Sequence, residues 1–194
     1  MDIGKFKTIG YVGGGNFGKV FRVKDTLLNV ERALKIINVQ NAQGFIDAIN
    51  EAQILEKCRH THIVDIKEID IHDVNGSQYP CIATEYLKNG SAQSYLEKKF
   101  ITVKFSLKIV CDCLFGLEYA HGKGVLHRDI KPGNILFNDN WYAKLSDFGL
   151  AYGLAHQAFN FVGYTSHLPP EVLENTAQDE LSDLYSMGVT FFRL

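Results

Sequence analysis

The sequence predicts an α+β chain in two parts, strand-rich up to residue 87 and mainly helical after it. Three observations carry this reading. Short β-prone runs broken by glycine and asparagine fill the first part, around a single helical stretch. Apolar residues recur at helical spacing after the polar hinge Lys88, Asn89, Gly90, and one small hairpin interrupts those helices. A length of 194 residues fits about one domain, and 46% hydrophobic with 22% charged residues excludes disorder and coiled coil.

Taken in order, residues 6–12 and 19–24 read as strands on either side of a glycine-rich stretch, and residues 31–39 as a third. Residues 42–57 turn helical, with Phe45, Ile49 and Ala52, and Ala48 and Leu55, at three- and four-residue steps. Residues 64–71 and 79–86 return to strand, joined across Asn75 and Gly76, a pair suited to a tight hairpin turn. Ser91 is a candidate N-cap for a short helix and Thr102 for a longer one ending near Gly122. Residues 135–137 and 143–145 flank the turn Asn138, Asp139, Asn140 as a hairpin. A last helix from Ser182 carries Leu184, Met187, Val189, Phe191, Phe192 and Leu194 around most of its circumference, the pattern of a helix buried on all sides. A hinge between two such parts predicts a ligand cleft at the junction.

Charge narrows the partners. Lys and Arg number 20 against 22 Asp and Glu, a net charge of −2, so no basic field attracts nucleic acid or anionic membrane. The start carries no secretory signal pattern, and the longest apolar stretch, residues 109–117, is interrupted by Asp112, so no membrane segment is expected. Cys58, Cys81, Cys111 and Cys113 read as reduced structural thiols in a cytoplasmic setting. His60 and His62, without a cysteine or carboxylate cluster nearby, read as a helix-to-strand connection rather than a metal site.

Gly13, Gly15 and Gly18 fit a GxGxxG pattern continued by Val20, and small side chains there let backbone N–H groups approach phosphate oxygens. Residues after Gly18 alternate as a strand, whereas a dinucleotide site needs a helix at that point. Lys35 lies in the otherwise apolar run 33–37, so its ammonium must snorkel at an edge or meet an anion. Glu51, with Ala48 and Leu55 at helical spacing, places a carboxylate beside the inward stripe of its helix, which suggests an ion pair that holds Lys35 for a phosphate.

The segment HRDIKPGN from His127 to Asn134 is followed by DFG at Asp147, Phe148 and Gly149 and by PPE at Pro169, Pro170 and Glu171. With the glycine loop, Lys35 and Glu51 in the same order, the sequence resembles the eukaryotic-like protein kinases over essentially its whole length. The resemblance implies a bilobal fold, ATP and Mg²⁺, and a protein substrate bearing Ser or Thr. On it, Asp129 orients the acceptor hydroxyl and takes its proton, Lys131 stabilises the γ-phosphoryl, and Asn134 and Asp147 ligate Mg²⁺. Lys35 holds the α- and β-phosphates, oriented by Glu51. Val20, Ala33 and Leu136 sandwich the adenine, while backbone groups of Glu85 to Leu87 face its edge and Thr84 stands behind it. Leu55, Ile66, Phe148 and His127 match a stacked column anchored by Asp183. Lys131 in IKP, and Leu150 after DFG, resemble the serine/threonine type rather than the tyrosine kinases.

Three departures qualify the resemblance. Tyr164 occupies the place of a threonine that touches the catalytic Asp and Lys, and Asn160 falls near the usual activating phosphosite. The chain also stops inside the helix near Asp183, which leaves the helical lobe incomplete and Glu171 without its usual arginine, so a C-terminal continuation or a partner covering that lobe is expected. A nucleotide-binding module without phosphoryl transfer is the competing reading. The intact Lys35, Asp129, Asn134 and Asp147 argue for transfer.

Overall fold

A computed structural model describes residues 2–15, 18–38, 46, 49–50, 52–53, 56–148, 167–173 and 178–194. The chain divides into two compact units, residues 1–56 with 65–86 and residues 57–64 with 87–194.

The first unit is built on an antiparallel sheet of β1 (Asp2–Ile3), β2 (Phe6–Gly15), β3 (Gly18–Asp25), β4 (Val30–Ile37), β5 (Ile66–Val74) and β6 (Ser77–Glu85), ordered β1-β2-β3-β4-β6-β5. Strand alternation sends Leu34 and Ile36 into a core with Ile3, Phe6, Val23, Cys81 and Ala83. Ile37 joins Ile66, Ile82 and the helical residue Ala52 on the opposite face, the face Ala33 and Lys35 share by the two-residue period. Asn75 (φ 56°) and Gly76 (φ 84°) make the expected hairpin turn of β5 and β6. Of the stretch expected to be helical, residues 46, 49–50, 52–53 and 56–57 are helix; Phe45, Ala48, Glu51 and Leu55 lie outside the described residues.

The second unit contains α1 (Ala92–Glu97), α2 (Val103–His121), a 3₁₀ turn (Pro132–Asn134), the hairpin β7 (Ile135–Phe137) and β8 (Ala143–Leu145), α3 (Pro170–Leu173) and α4 (Glu180–Arg193). Thr102 caps α2 by accepting the N–H of Phe105, and Ile109, Cys113, Leu117 and Ala120 form its buried stripe. Asp112, which breaks the apolar run, is buried because its Oδ2 accepts the N–H of Ala143 at 2.9 Å and the Lys108 ammonium at 2.5 Å. The connection at residues 57–64 belongs to this unit because it pairs with β8. Val64 N–H donates to Leu145 O and Leu145 N–H to His62 O, each at 2.9 Å. Gly116 permits that approach, since a Cβ there would lie 2.8 Å from His62 O.

Three sequence expectations need correction. Ser91 precedes α1 but makes no side-chain cap; it forms a bridge with Leu136 instead. The last helix begins at Glu180, not Ser182, because Asp179 and Ser182 close a capping box. Nor is it buried all round. Its inward residues are Ser182, Asp183, Ser186, Met187 and Thr190, while Phe192 is 91% exposed and Leu184 43%. The buried face is polar because it serves loop backbone: Ser186 Oγ donates to His167 O at 2.8 Å, and Ser182 Oγ donates to Glu171. No described helix is long and apolar enough to cross a membrane.

All four cysteines are free, with Cys111 exposed and Cys113 buried on the same helix. Burial pushes the Cys81 thiol up to about 11 and raises Cys58 and Cys113 as well, so these three are inert packing groups at neutral pH.

Candidate active site

In the second unit, one carboxylate organises the loop that follows α2. Asp183 on α4 accepts the N–H of His127 at 2.8 Å and that of Arg128 at 2.7 Å, and His121 Nε2 lies 2.9 Å from the same carboxylate. Arg128 is thereby held at φ 65°, a left-handed conformation that costs a non-glycine residue roughly 1–3 kcal/mol. His127 is fully buried and its ring packs 4.4 Å from that of Phe148. Burial pushes its imidazole below the ordinary histidine range, so it is neutral and its Nδ1 accepts the N–H of Asp129 at 3.2 Å.

Asp129 stands at the centre of a closed polar cluster. Lys131 Nζ donates to its two carboxylate oxygens at 2.9 and 2.8 Å. Asn134 Nδ2 donates to its backbone carbonyl and its Oδ2, both at 2.8 Å. Asn134 is buried, and its carbonyl accepts the N–H of Ser146 at 2.9 Å and the Ser146 hydroxyl at 3.0 Å. Asp147, the residue after Ser146, sits at φ 58°, a second left-handed position.

This donor set fits Mg²⁺. The Asn134 amide spends its N–H groups on Asp129, which leaves its Oδ1 as the side-chain acceptor, and Asp147 is a carboxylate immediately after the Ser146 that holds Asn134. Hard oxygen donors and no soft ligand are what Mg²⁺ requires.

The first unit holds the other expected residues on its sheet. Gly13, Gly15 and Gly18 lie in the β2–β3 hairpin, where Gly15 pairs with Gly18 and Gly13 with Val20. A Cβ on Gly18 (φ 147°) would come within 2.1 Å of Ile36 O, whereas one on Gly13 would meet nothing within 4 Å. Of these two, Gly18 is fixed by the fold itself and Gly13 is not. Val20 pairs with Lys35, and Ala33 pairs with Thr84, so adjoining strands present these four side chains on one face. Lys35 is half-buried, and Glu51, its expected partner, lies outside the described residues. Glu85 N–H donates to Asp65 O at 3.1 Å while its side chain accepts the N–H of Asp65 at 2.9 Å. In the second unit, Leu87 O accepts Gly90 N–H at 3.2 Å, and Leu136 pairs with Lys144 on the β7–β8 hairpin.

Within the described residues the expected positions thus form two groups, one per unit: the sheet face of Val20, Ala33 and Lys35, and the cluster of Asp129, Lys131 and Asn134, to which Asp147 is linked through the adjacent Ser146. Gly149, Leu150, Asn160, Tyr164 and Thr165 lie outside the described residues. Sequence reasoning missed Ser146, His121 and the His167–Arg193 pair. Ser146 stands directly before Asp147, and a small hydroxyl residue there is the signal that could have identified the clamp on Asn134.

The protein kinase domain family matches residues 6–194. The chain is 34% identical over 191 residues to the probable serine/threonine-protein kinase drkD of Dictyostelium discoideum, covering 94% of this chain and 14% of that protein. It is 31% identical to serine/threonine-protein kinase PCRK1 of Arabidopsis thaliana (94% of this chain, 48% of the relative). To the probable serine/threonine-protein kinase pknA2 of Bifidobacterium longum it is 30% identical (97% and 26%). The chain therefore spans less than half the length of each of these relatives. The crystal structure of the Mycobacterium tuberculosis PknI kinase domain superposes with a TM-score of 0.78 at 22% identity, covering all of this chain and 74% of that one, which shows the fold.

Proposed function

We propose, for a chain that belongs to the protein kinase domain family, that it transfers the γ-phosphoryl group of ATP to serine or threonine hydroxyls of protein substrates. The observation that carries this reading is the Asp129 cluster. A carboxylate held by Lys131 and Asn134, on a strained loop anchored by Asp183, is preorganised to orient an acceptor hydroxyl and take its proton. Lys131, already bound to Asp129, supplies positive charge for the transferring phosphoryl group.

Asn134 and Asp147 would hold Mg²⁺, which when bound neutralises charge on the triphosphate. Lys35 would hold the α- and β-phosphates, with Glu51 orienting it. Val20, Ala33 and Leu136 would enclose the adenine, and Gly13, Gly15 and Gly18 would let backbone amides approach the phosphates. By the resemblance, backbone groups of Glu85 to Leu87 would face the adenine edge, with Thr84 behind it.

The serine/threonine assignment is supported by the names of the three relatives above and by Lys131 in the catalytic loop. Free thiols, three of them buried and Cys111 exposed, suit a reducing compartment, and we place the chain in the cytoplasm. Mg²⁺-dependent transfer of labelled γ-phosphate to a serine- and threonine-containing protein, lost in Asp147→Ala, tests the reading; nucleotide binding without any transfer would instead favour a binding module.

A further inference from the structure

Strand β5 lies at the edge of its sheet and turns three polar side chains toward the core face. Glu68 pairs with Ala83, Asp70 with Cys81 and His72 with Tyr79, and these partners belong to or pack on the core of Ile3, Phe6 and Leu34. Directly paired residues share a face of the sheet, so Glu68, Asp70 and His72 lie on that one, while Ile71 on the opposite face is 45% exposed. Burial of apolar surface does not explain this placement.

The three side chains converge. A carboxylate oxygen of Glu68, one of Asp70 and a ring nitrogen of His72 all lie within 4.8 Å of one another. Ligands bound to a tetrahedral Zn²⁺ stand about 3.3–3.6 Å apart, so small side-chain rotations close the set on one ion. The imidazole is already held. Its ring meets that of Phe6 edge-to-face at 5.8 Å, and Gly4 (φ 55°) packs against it so closely that a Cβ there would lie 2.6 Å from Nδ1. Its Nε2 is buried without a hydrogen-bond partner among the described residues, a cost that the protein's own groups leave uncompensated.

Lys5 competes for this set. Its ammonium donates to Glu68 and lies 3.5 Å from Oδ2 of the buried Asp25, so it keeps a partner when Glu68 turns to a metal.

We propose that Glu68, Asp70 and His72 form a Zn²⁺ site that stabilises the sheet. One imidazole with two carboxylates selects a borderline dication over Mg²⁺ or Ca²⁺, which take oxygen donors. Three protein ligands leave the fourth position to water. The ligands converge in the folded sheet, so binding favours the folded chain. The site acts independently of phosphoryl transfer, and its test leaves the kinase reading untouched.

The test titrates the chain with Zn²⁺ in excess Mg²⁺, with binding read by equilibrium dialysis and stability by the thermal midpoint. One Zn²⁺ per chain should bind at micromolar concentration and raise the midpoint. Asp70→Asn keeps the bond from the Ile71 N–H and so spares the fold. It and His72→Gln should each weaken binding by more than about tenfold, the scale lost with an outer-sphere partner alone, and abolish the midpoint rise. Lys5→Gln should tighten binding, because Glu68 loses its competitor. Cys111→Ser, which removes the exposed thiol, should change nothing. Binding unchanged in both Asp70→Asn and His72→Gln, its loss in Cys111→Ser, or no binding at millimolar Zn²⁺ would overturn the proposal and leave the three side chains as a polar guard on the sheet edge.

Discussion

The Oδ1 of Asp183 accepts the backbone N–H of Arg128 at 2.7 Å, so α4 fixes a residue whose φ of 65° the chain would otherwise abandon. The next residue is Asp129, whose carboxylate direction follows from that backbone. Replacing Asp183 by Ala leaves two backbone donors and His121 without their acceptor, each worth roughly 1–3 kcal/mol when buried. Asp183→Ala should therefore cost about 3 kcal/mol or more by urea denaturation, and Asp183→Asn, which keeps one oxygen, distinctly less. Equal stability of both variants and the parent would remove Asp183 from its anchoring role.

The glycine-rich hairpin separates a steric requirement from a functional one. Gly18→Ala must displace β4, because the new Cβ would lie 2.1 Å from Ile36 O, and it should lower the thermal midpoint by several degrees. Gly13→Ala has open space and should leave the midpoint within a degree or two of the parent. If nucleotide affinity falls in Gly13→Ala without loss of stability, the hairpin approaches phosphate as proposed.

Acidification should destabilise the fold in two windows. His127, His60 and His167 are each held below 6.5, first of all by burial. The unfolded chain then binds more protons than the folded one, so stability is full above about pH 6.5 and is lost as pH falls through the lower folded values. Asp25 adds a second loss. The N–H of Leu28, the largest cause, with that of Leu27 and the Lys5 ammonium, holds its carboxyl below 3.8, so its contribution is present above that value and disappears as pH falls through the folded one. Thermal midpoints between about pH 7.5 and 5 should decline, and less steeply in His127→Asn. A flat profile would contradict neutral, buried imidazoles.

The strands β2 to β8 and their hairpins were legible in the sequence because period-two alternation and the Asn75–Gly76 pair are local signals, whereas β1 and the sheet order β1-β2-β3-β4-β6-β5 come from pairings that no local signal carries. The catalytic loop was legible because HRDIKPGN clusters its functional side chains within eight consecutive positions. The α4 packing was not. Its buried face carries Ser182, Asp183, Ser186 and Thr190, which apolar periodicity reads as outward, and they turn inward to serve loop backbone from distant segments. The same holds for the His167–Arg193 contact, 26 residues apart, which no spacing rule connects. Asp112 shows the converse, a charge that seemed to interrupt a buried helix and is buried because β8 supplies its donor.

Phosphoryl transfer by Asp129→Asn, measured beside its ATP affinity, tests the central claim most directly. On the proposed function the Asp129 carboxylate acts on the acceptor hydroxyl and not on the nucleotide, so turnover should fall roughly 10²- to 10⁴-fold while ATP affinity stays within a few-fold of the parent. Full turnover in Asp129→Asn, or parallel loss of nucleotide binding and rate, would contradict the role assigned to the Asp129 cluster.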